Sequence, residues 1–141
     1  MRKLLIAVAL MSIVAPLYAA DLVVSNAWVR LLPGDLPLAG YVHVVNSSPR
    51  EITLVSASSP DFATVQFHQS MNHAGMEEMM HLAKISIPAG KSLDFAPGGY
   101  HLMLMGRKQP LAVGQHVALT LHFADGSKQT IQFTVRGATG K

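Results

Sequence analysis

The feature that most constrains the fold is the shortness of the apolar segments, each of which ends at turn-forming residues. The clearest case spans residues 117–123 and 131–135, where apolar side chains alternate with other residues on either side of the turn Ala124-Asp125-Gly126-Ser127. Such alternation is typical of strands with one buried face, and an Asp-Gly turn between them predicts a β-hairpin. Similar short segments recur along residues 22–106. The sequence therefore predicts an all-β antiparallel sandwich or barrel of about eight or nine strands.

One segment departs from this pattern. Residues Met71 to Met80 lack strand character, and we expect them to form a loop or a single helical turn. The rest of residues 21–141 holds no repeat, low-complexity tract or linker. About 120 residues are enough for one core, so this range is predicted to be a single domain.

The first twenty residues have the pattern of a secretory signal peptide. Arg2 and Lys3 precede an apolar run that ends at Val14, and small residues follow at Ala19 and Ala20. The run is shorter than the roughly 20 residues that span a bilayer, which favours cleavage over a membrane anchor. We expect residues 1–20 to be removed, leaving an exported protein without stable membrane insertion, located in the periplasm if the source is Gram-negative.

The charge pattern argues against a nucleic-acid partner. Without Arg2 and Lys3, nine basic residues face eight acidic ones, a net charge of +1. The remaining basic residues are scattered rather than clustered, unlike those of a nucleic-acid-binding surface. Nothing in the sequence resembles a Ser/His/Asp constellation or a phosphate-binding loop, and the protein is predicted not to be an enzyme.

The unusual part of the composition is 7 His and 8 Met in a chain without Cys. Thioether sulfur is a soft ligand that prefers Cu(I), and neutral imidazole also suits copper. The lack of Cys excludes a blue-copper centre, while dispersed carboxylates disfavour calcium or magnesium sites and an all-His zinc site would not explain the Met residues. The composition therefore favours a Cu(I) site made of residues that tolerate an oxidising compartment.

The segment from Tyr100 to Met105 gives this site a geometry. On a strand, His101, Met103 and Met105 share one face while the Leu residues between them occupy the other. The residues of the first face lie close enough in pairs to bind one ion. A single Met on a strand is usually a packing group, but here a His and two Met share the face opposite two Leu.

Spacing then leads to a family resemblance. His68, Met79, His101 and Met103 form the pattern H-x10-M-x21-H-x-M, which resembles the copper-binding signature of periplasmic PCu(A)C-type copper chaperones. The segment from Pro97 to Gly106 also resembles that family's Gly-Gly-Tyr/Phe-His-x-Met-Leu segment, and similarity extends over most of residues 22–136. The chain departs from the family at Met80-His81, where Arg-Pro is expected, and at Glu77-Glu78, where a Lys is common.

The resemblance implies a cupredoxin-like (Greek-key) β-sandwich that binds Cu(I) through His68, Met79, His101 and Met103. It also implies delivery of copper towards the dinuclear copper centre of cytochrome c oxidase, with the copper-bearing oxidase subunit and Sco-type proteins as partners. Met71, His73 and Met105 are auxiliary candidates, and His81 is an additional one. Two alternatives stay open: a periplasmic copper buffer or resistance protein without a dedicated client, and a metal-independent interaction module whose Met-rich loop is a docking surface.

Overall fold

The computed structural model describes residues 22–141, so the predicted signal peptide lies outside the described residues. Within this range the chain forms ten strands. They are β1 (Leu22–Arg30), β2 (Leu38–Asn46), β3 (Ile52–Ser58), β4 (Phe62–His73), β5 (Met76–Leu82), β6 (Ile85–Ile87), β7 (Ser92–Phe95), β8 (Tyr100–Arg107), β9 (His116–Phe123) and β10 (Lys128–Arg136). The all-β prediction is confirmed. No helix in residues 22–141 is long and apolar enough to cross a membrane.

The strands form a closed barrel with two additions. The ring runs β4-β8-β7-β2-β1-β10-β9-β3 and closes where β3 pairs with β4. Strand β5 extends the sheet beside β4, and β6 extends it beside β3. Most neighbours are antiparallel, but β1 pairs with β10 in parallel and β7 with β8 likewise. This cupredoxin-like barrel brings β4 between β5 and β8, where the predicted ligands lie.

The interior of the barrel follows the alternation of the sequence. On β9 and β10 the predicted apolar residues are buried. They are Val117, Leu119, Leu121, Phe123, Ile131, Phe133 and Val135. In the turn between the two strands, the Asp125 carboxylate accepts hydrogen bonds from the Ser127 amide and hydroxyl at 2.8 and 2.6 Å. The predicted C-terminal hairpin is confirmed.

The segment from Met71 to Met80 is a β-hairpin, so the expectation of a loop or helical turn was wrong. Strand β4 continues to His73, and β5 begins at Met76. Ala74 and Gly75 connect them with φ angles of 52° and 80°. Positive φ at both central residues is the mark of a type I′ turn, which matches the twist of a hairpin. All residues from 71 to 81 are exposed, and a strand without a buried face has no hydrophobic alternation to reveal it.

Candidate metal centre

Three adjacent strands bring the predicted ligands together. In the ladder between β4 and β8, His68 lies opposite His101. In the ladder between β4 and β5, the same His68 lies opposite His81. Directly opposite residues of antiparallel strands share a face of the sheet. His68 is therefore the middle of a row of three histidines.

The two methionines of the motif flank this row. Met103 lies opposite Gln66, two residues before His68, while Met79 lies opposite Ser70, two residues after it. Both are thus diagonal neighbours of His68 on the same face, at a spacing that long side chains can bridge. The structure brings all four predicted residues to one outer face of the sheet.

The other face of β8 belongs to the core. Leu102 and Leu104 are fully buried, whereas Met103 and Met105 are only partly buried. The predicted division of this strand into an apolar face and a His/Met face is therefore observed. Met103 and Met105 lie on the outside of the barrel and do not fill its interior.

The histidine rings lie close together, and the predicted ligands differ in exposure. The centroids of the His68 and His101 rings are 5.6 Å apart, as are those of His68 and His81. His101 is buried, with 4% of its surface exposed, although it lies on the outer face. Met79, by contrast, is 59% exposed. The centre thus has a protected side on β8 and an open side on β5.

Each of the two central histidines has one nitrogen in a hydrogen bond and one without a partner. His68 donates from Nε2 to the Gln66 side-chain oxygen at 3.0 Å, and His101 Nδ1 faces the Gly99 carbonyl oxygen at a longer 3.4 Å. Both oxygens are acceptors, which places the ring hydrogens on these nitrogens. Within residues 22–141, His68 Nδ1 and His101 Nε2 are buried and have no protein hydrogen-bond partner. These are the nitrogens left with a lone pair, the form that binds a metal ion.

Burial keeps both rings neutral. Desolvation lowers the pKa of His101 below its usual value, and the Gly99 carbonyl and the Glu77 carboxylate oppose that change only in part. Desolvation also lowers the pKa of His68, with further contributions from the neighbouring His101 and His81. Both rings therefore hold unprotonated nitrogens at neutral pH, ready to bind a metal without first releasing a proton.

The donor set is a soft one. Residues 22–141 contain no group of three or more His, Cys, Asp and Glu side chains arranged to hold a metal ion. The sulfur donors that share a face with His68 and His101 near this row are the thioethers of Met79 and Met103. Two imidazoles and two thioethers fit Cu(I) better than zinc, calcium or magnesium.

The auxiliary candidates lie elsewhere. Met105 shares the motif face, but it lies opposite Thr64 and four residues along β8 from His101. Met71 and His73 alternate with Ser70 and so occupy the opposite face of the β4–β5 hairpin. None of the three is brought to His68 by the register of the strands.

Sequence reasoning missed the groups that orient the histidines. Gln66 fixes the ring of His68, and the Gly99 carbonyl oxygen faces the ring of His101. A polar residue two positions before a ligand on the same strand was the available signal for Gln66, because the two share a face. The role of the Gly99 carbonyl depends on the backbone path before β8, which the sequence pattern does not specify.

Comparison with known proteins identifies the family. The family model described as "Putative lipoprotein LpqE-like" matches residues 22–135. The chain belongs to this PCu(A)C family. Among the relatives of this chain, "Putative lipoprotein Lxx21020" of Leifsonia xyli subsp. xyli (strain CTCB07) is 37% identical over 118 residues, which cover 83% of this chain and 70% of that protein. Protein RP573 of Rickettsia prowazekii (strain Madrid E) is 28% identical over 98 residues, 69% of this chain and 54% of the relative.

Two solved PCu(A)C structures with copper share the fold. The copper-bound PCuAC domain from PmoF2 superimposes with a TM-score of 0.70 at 29% identity, covering 84% of this chain and 95% of that one. The Cu(I) form of DR1885 from Deinococcus radiodurans gives a TM-score of 0.65 at 32% identity, covering 85% of this chain and 79% of that one. The predicted family and the cupredoxin-like fold are confirmed.

Proposed function

We propose that this PCu(A)C protein is an exported Cu(I) chaperone whose ion is held by His68, Met79, His101 and Met103. The observation that carries the proposal is the pair of buried, unpartnered nitrogens on adjacent strands, His68 Nδ1 and His101 Nε2. An unpaired buried polar atom costs roughly 1–3 kcal/mol, and a metal ion is a partner that would remove this cost. The copper-bound structures of PmoF2 and DR1885 support the same metal.

The arrangement suits a carrier, which must both retain and release its ion. His68, His101 and Met103 stand on barrel strands with hydrogen-bonded neighbours on both sides. Met79 stands on β5, which among the described strands pairs with β4 alone, and its side chain is exposed. An incoming acceptor can therefore replace the Met79 thioether first, while the other three ligands still hold the ion. The neutral His and Met ligands need no proton transfer during this exchange.

The proposed destination is the dinuclear copper centre of cytochrome c oxidase, with Sco-type proteins as partners. Its support is the family resemblance of the motif and of the segment from Pro97 to Gly106. The proposed location is the periplasm, reached through the signal peptide at residues 1–20, and the names of lipoprotein relatives agree with export. We propose a carrier rather than an enzyme, because the centre offers ligands for an ion and no acid/base pair.

The decisive experiment is an anaerobic Cu(I) competition against a chromophoric chelator, performed on the wild type and on His101→Ala. The wild type is expected to take Cu(I) from the chelator, and His101→Ala to lose at least a tenfold factor in affinity. His116→Ala, an exposed histidine on β9, is the matched control and keeps wild-type affinity. X-ray absorption of the loaded protein is expected to show nitrogen and sulfur neighbours. Equal affinity of all three proteins would refute the assignment of His101.

A second experiment separates a chaperone from a buffer. The Cu(I)-loaded protein is mixed with the apo copper-bearing subunit of the oxidase, with and without a Sco-type protein, and the metal content of each is measured after separation. A chaperone transfers copper to one of these acceptors faster than free chelated Cu(I) does. Retention of the ion would instead identify a buffer, and failure of the wild type to bind Cu(I) at all would leave the metal-independent interaction module.

A further inference from the structure

The β4–β5 hairpin carries a second set of soft side chains on the face opposite the motif. In its ladder His73 lies opposite Met76, and Met71 lies opposite Glu78. These residues alternate with Ser70, Glu77 and Met79 along the two strands, so they share the other face of the hairpin. One imidazole and two thioethers therefore lie on the same face beside the turn, without contribution from His68 or His101.

Packing does not explain these methionines. Met is a common filler of gaps in a hydrophobic core, but Met71 is 41% exposed and Met76 is 69% exposed. His73 is also exposed. The core on this side of β4 ends at Phe67, which is buried, while every residue from 71 to 81 is exposed. The cluster therefore covers no apolar interior of residues 22–141.

The spacing of the cluster fits a shared ion. His73 and Met76 flank the two-residue turn as a directly opposite pair, for which Cβ atoms are about 4.5–5.5 Å apart. Met71 follows the same face two residues back along β4 and is a diagonal neighbour of Met76, at about 7–8 Å. Methionine is unbranched with three rotatable bonds, so both sulfur atoms can turn towards the imidazole. The type I′ turn at Ala74 and Gly75 keeps this register in place.

We propose that Met71, His73 and Met76 form a second Cu(I) site at the tip of the hairpin, on the opposite face from the motif. Thioether and neutral imidazole select Cu(I) here for the same reason as in the motif. The tip site is weaker and exchanges its ion faster, because its ligands are exposed and none is held by a buried neighbour. Its exposed side chains are open to an incoming Cu(I) complex. This inference goes beyond the proposed function and shares no ligand with it.

The test is an anaerobic Cu(I) titration with bicinchoninate as the competing chelator. The wild type is expected to bind two equivalents, one at least tenfold tighter than the other. The double variant Met71→Leu/Met76→Leu loses the weaker equivalent and keeps the tighter one. His101→Ala does the reverse, losing the tighter equivalent while the weaker one remains. His116→Ala, at an exposed histidine on β9 away from both sites, is the matched control and keeps two equivalents.

Methyl resonances of the methionines provide a second readout. With methyl-labelled methionine, the first equivalent of Cu(I) is expected to shift the signals of Met79 and Met103, and the second those of Met71 and Met76. A single equivalent in the wild type, or two equivalents in the Met71/Met76 double variant, would overturn the tip site. Two equivalents in His101→Ala would contradict the assignment of the motif site but not that of the tip site. The two assignments can therefore fail independently.

Discussion

Strands β8 and β5 both supply ligands to the proposed centre, but they differ in almost every physical respect. Strand β8 has paired neighbours on both sides, and its Leu102 and Leu104 are fully buried in the barrel. Within residues 22–141, strand β5 pairs with β4 alone, and its residues are exposed except for the half-buried Leu82. Strand β8 is held in place by the hydrophobic core, whereas β5 is held by its hydrogen-bonded ladder with β4.

The difference teaches that one centre can combine a rigid side with an accessible one. Buried leucines on one face of β8 hold the position of His101 and Met103 on the other. Strand β5 has no such support, so Met79 is reachable by solvent and by a partner. In the proposed centre, β8 therefore supplies the ligands that retain the ion, and β5 supplies the ligand that is released first. Changing each strand separately tests this difference.

The largest expected effect is on the barrel side. Leu104→Ala removes a fully buried side chain from β8 and is expected to lower the free energy of unfolding by about 2–5 kcal/mol. Met80→Ala, on the exposed strand β5, should change it by less than about 0.5 kcal/mol. Denaturant unfolding of both variants measures the difference. Equal losses would show that the hairpin is part of the cooperative core.

The next effect concerns the accessible ligand. Met79→Leu is expected to weaken Cu(I) binding by roughly tenfold or more while the unfolding midpoint of the apo protein stays unchanged, since the side chain is exposed. Met80→Leu changes the adjacent methionine on the opposite face and should keep wild-type affinity. Chelator competition and thermal unfolding of both variants provide the measurements. If Met80→Leu weakens binding as much as Met79→Leu, the assignment of faces is wrong.

A further expectation concerns the pH dependence of the apo protein. Burial lowers the pKa of His101 and of His68 below the usual value near 6.5, so the unfolded chain binds more protons than the folded one in mildly acidic solution. The stability that these two neutral histidines contribute to the folded state is fully present above pH about 6.5. It is lost as the pH falls through their pKa values in the folded state. Free energies of unfolding measured between pH 7.5 and pH 5 give the slope of stability against pH. His101→Gln should flatten this slope.

The smallest effect concerns the hairpin turn. Ala74 has a φ of 52°, a left-handed conformation that costs a non-glycine residue about 1 kcal/mol. Ala74→Asn creates the Asn-Gly pair favoured in type I′ turns and should stabilise the hairpin by a few tenths to about 1 kcal/mol. Slower amide hydrogen exchange along β5 is the readout. Ala89→Asn also precedes a glycine, but Ala89 does not have a positive φ, so this control should leave exchange unchanged.

The sequence predicted well wherever one face of a strand is buried. The alternation in residues 117–123 and 131–135 located a real hairpin, and the alternation from Tyr100 to Met105 separated the core face from the His/Met face. Both predictions rest on the same cause, because a closed barrel gives each of its strands an inside and an outside. The spacing of His68, Met79, His101 and Met103 resembles the family motif, and this resemblance predicted that four residues distant in sequence form one site.

The prediction failed where solvent reaches both faces. Residues 71–80 have no buried face and hence no periodic signal, so the strand character of Met79 was missed. The register of the β4–β5 hairpin also separates residues that the composition had placed in one group. Met71, His73 and Met79 are neighbours in a Met-rich segment, yet alternation places Met79 on one face and the other two on the reverse. A pattern of residue types does not distinguish these faces until the turn at Ala74 and Gly75 is known.

The two unpartnered nitrogens, His68 Nδ1 and His101 Nε2, have a consequence for the lifetime of the folded protein. Their uncompensated burial makes the metal-free barrel less stable than its packing alone would allow. An ion that binds only the folded chain adds stability through thermodynamic linkage, about 2.7 kcal/mol when its free concentration is a hundred times its dissociation constant. Empty molecules are thus expected to unfold and be degraded before loaded ones. Copper supply would then set the abundance of its own carrier without any change in synthesis.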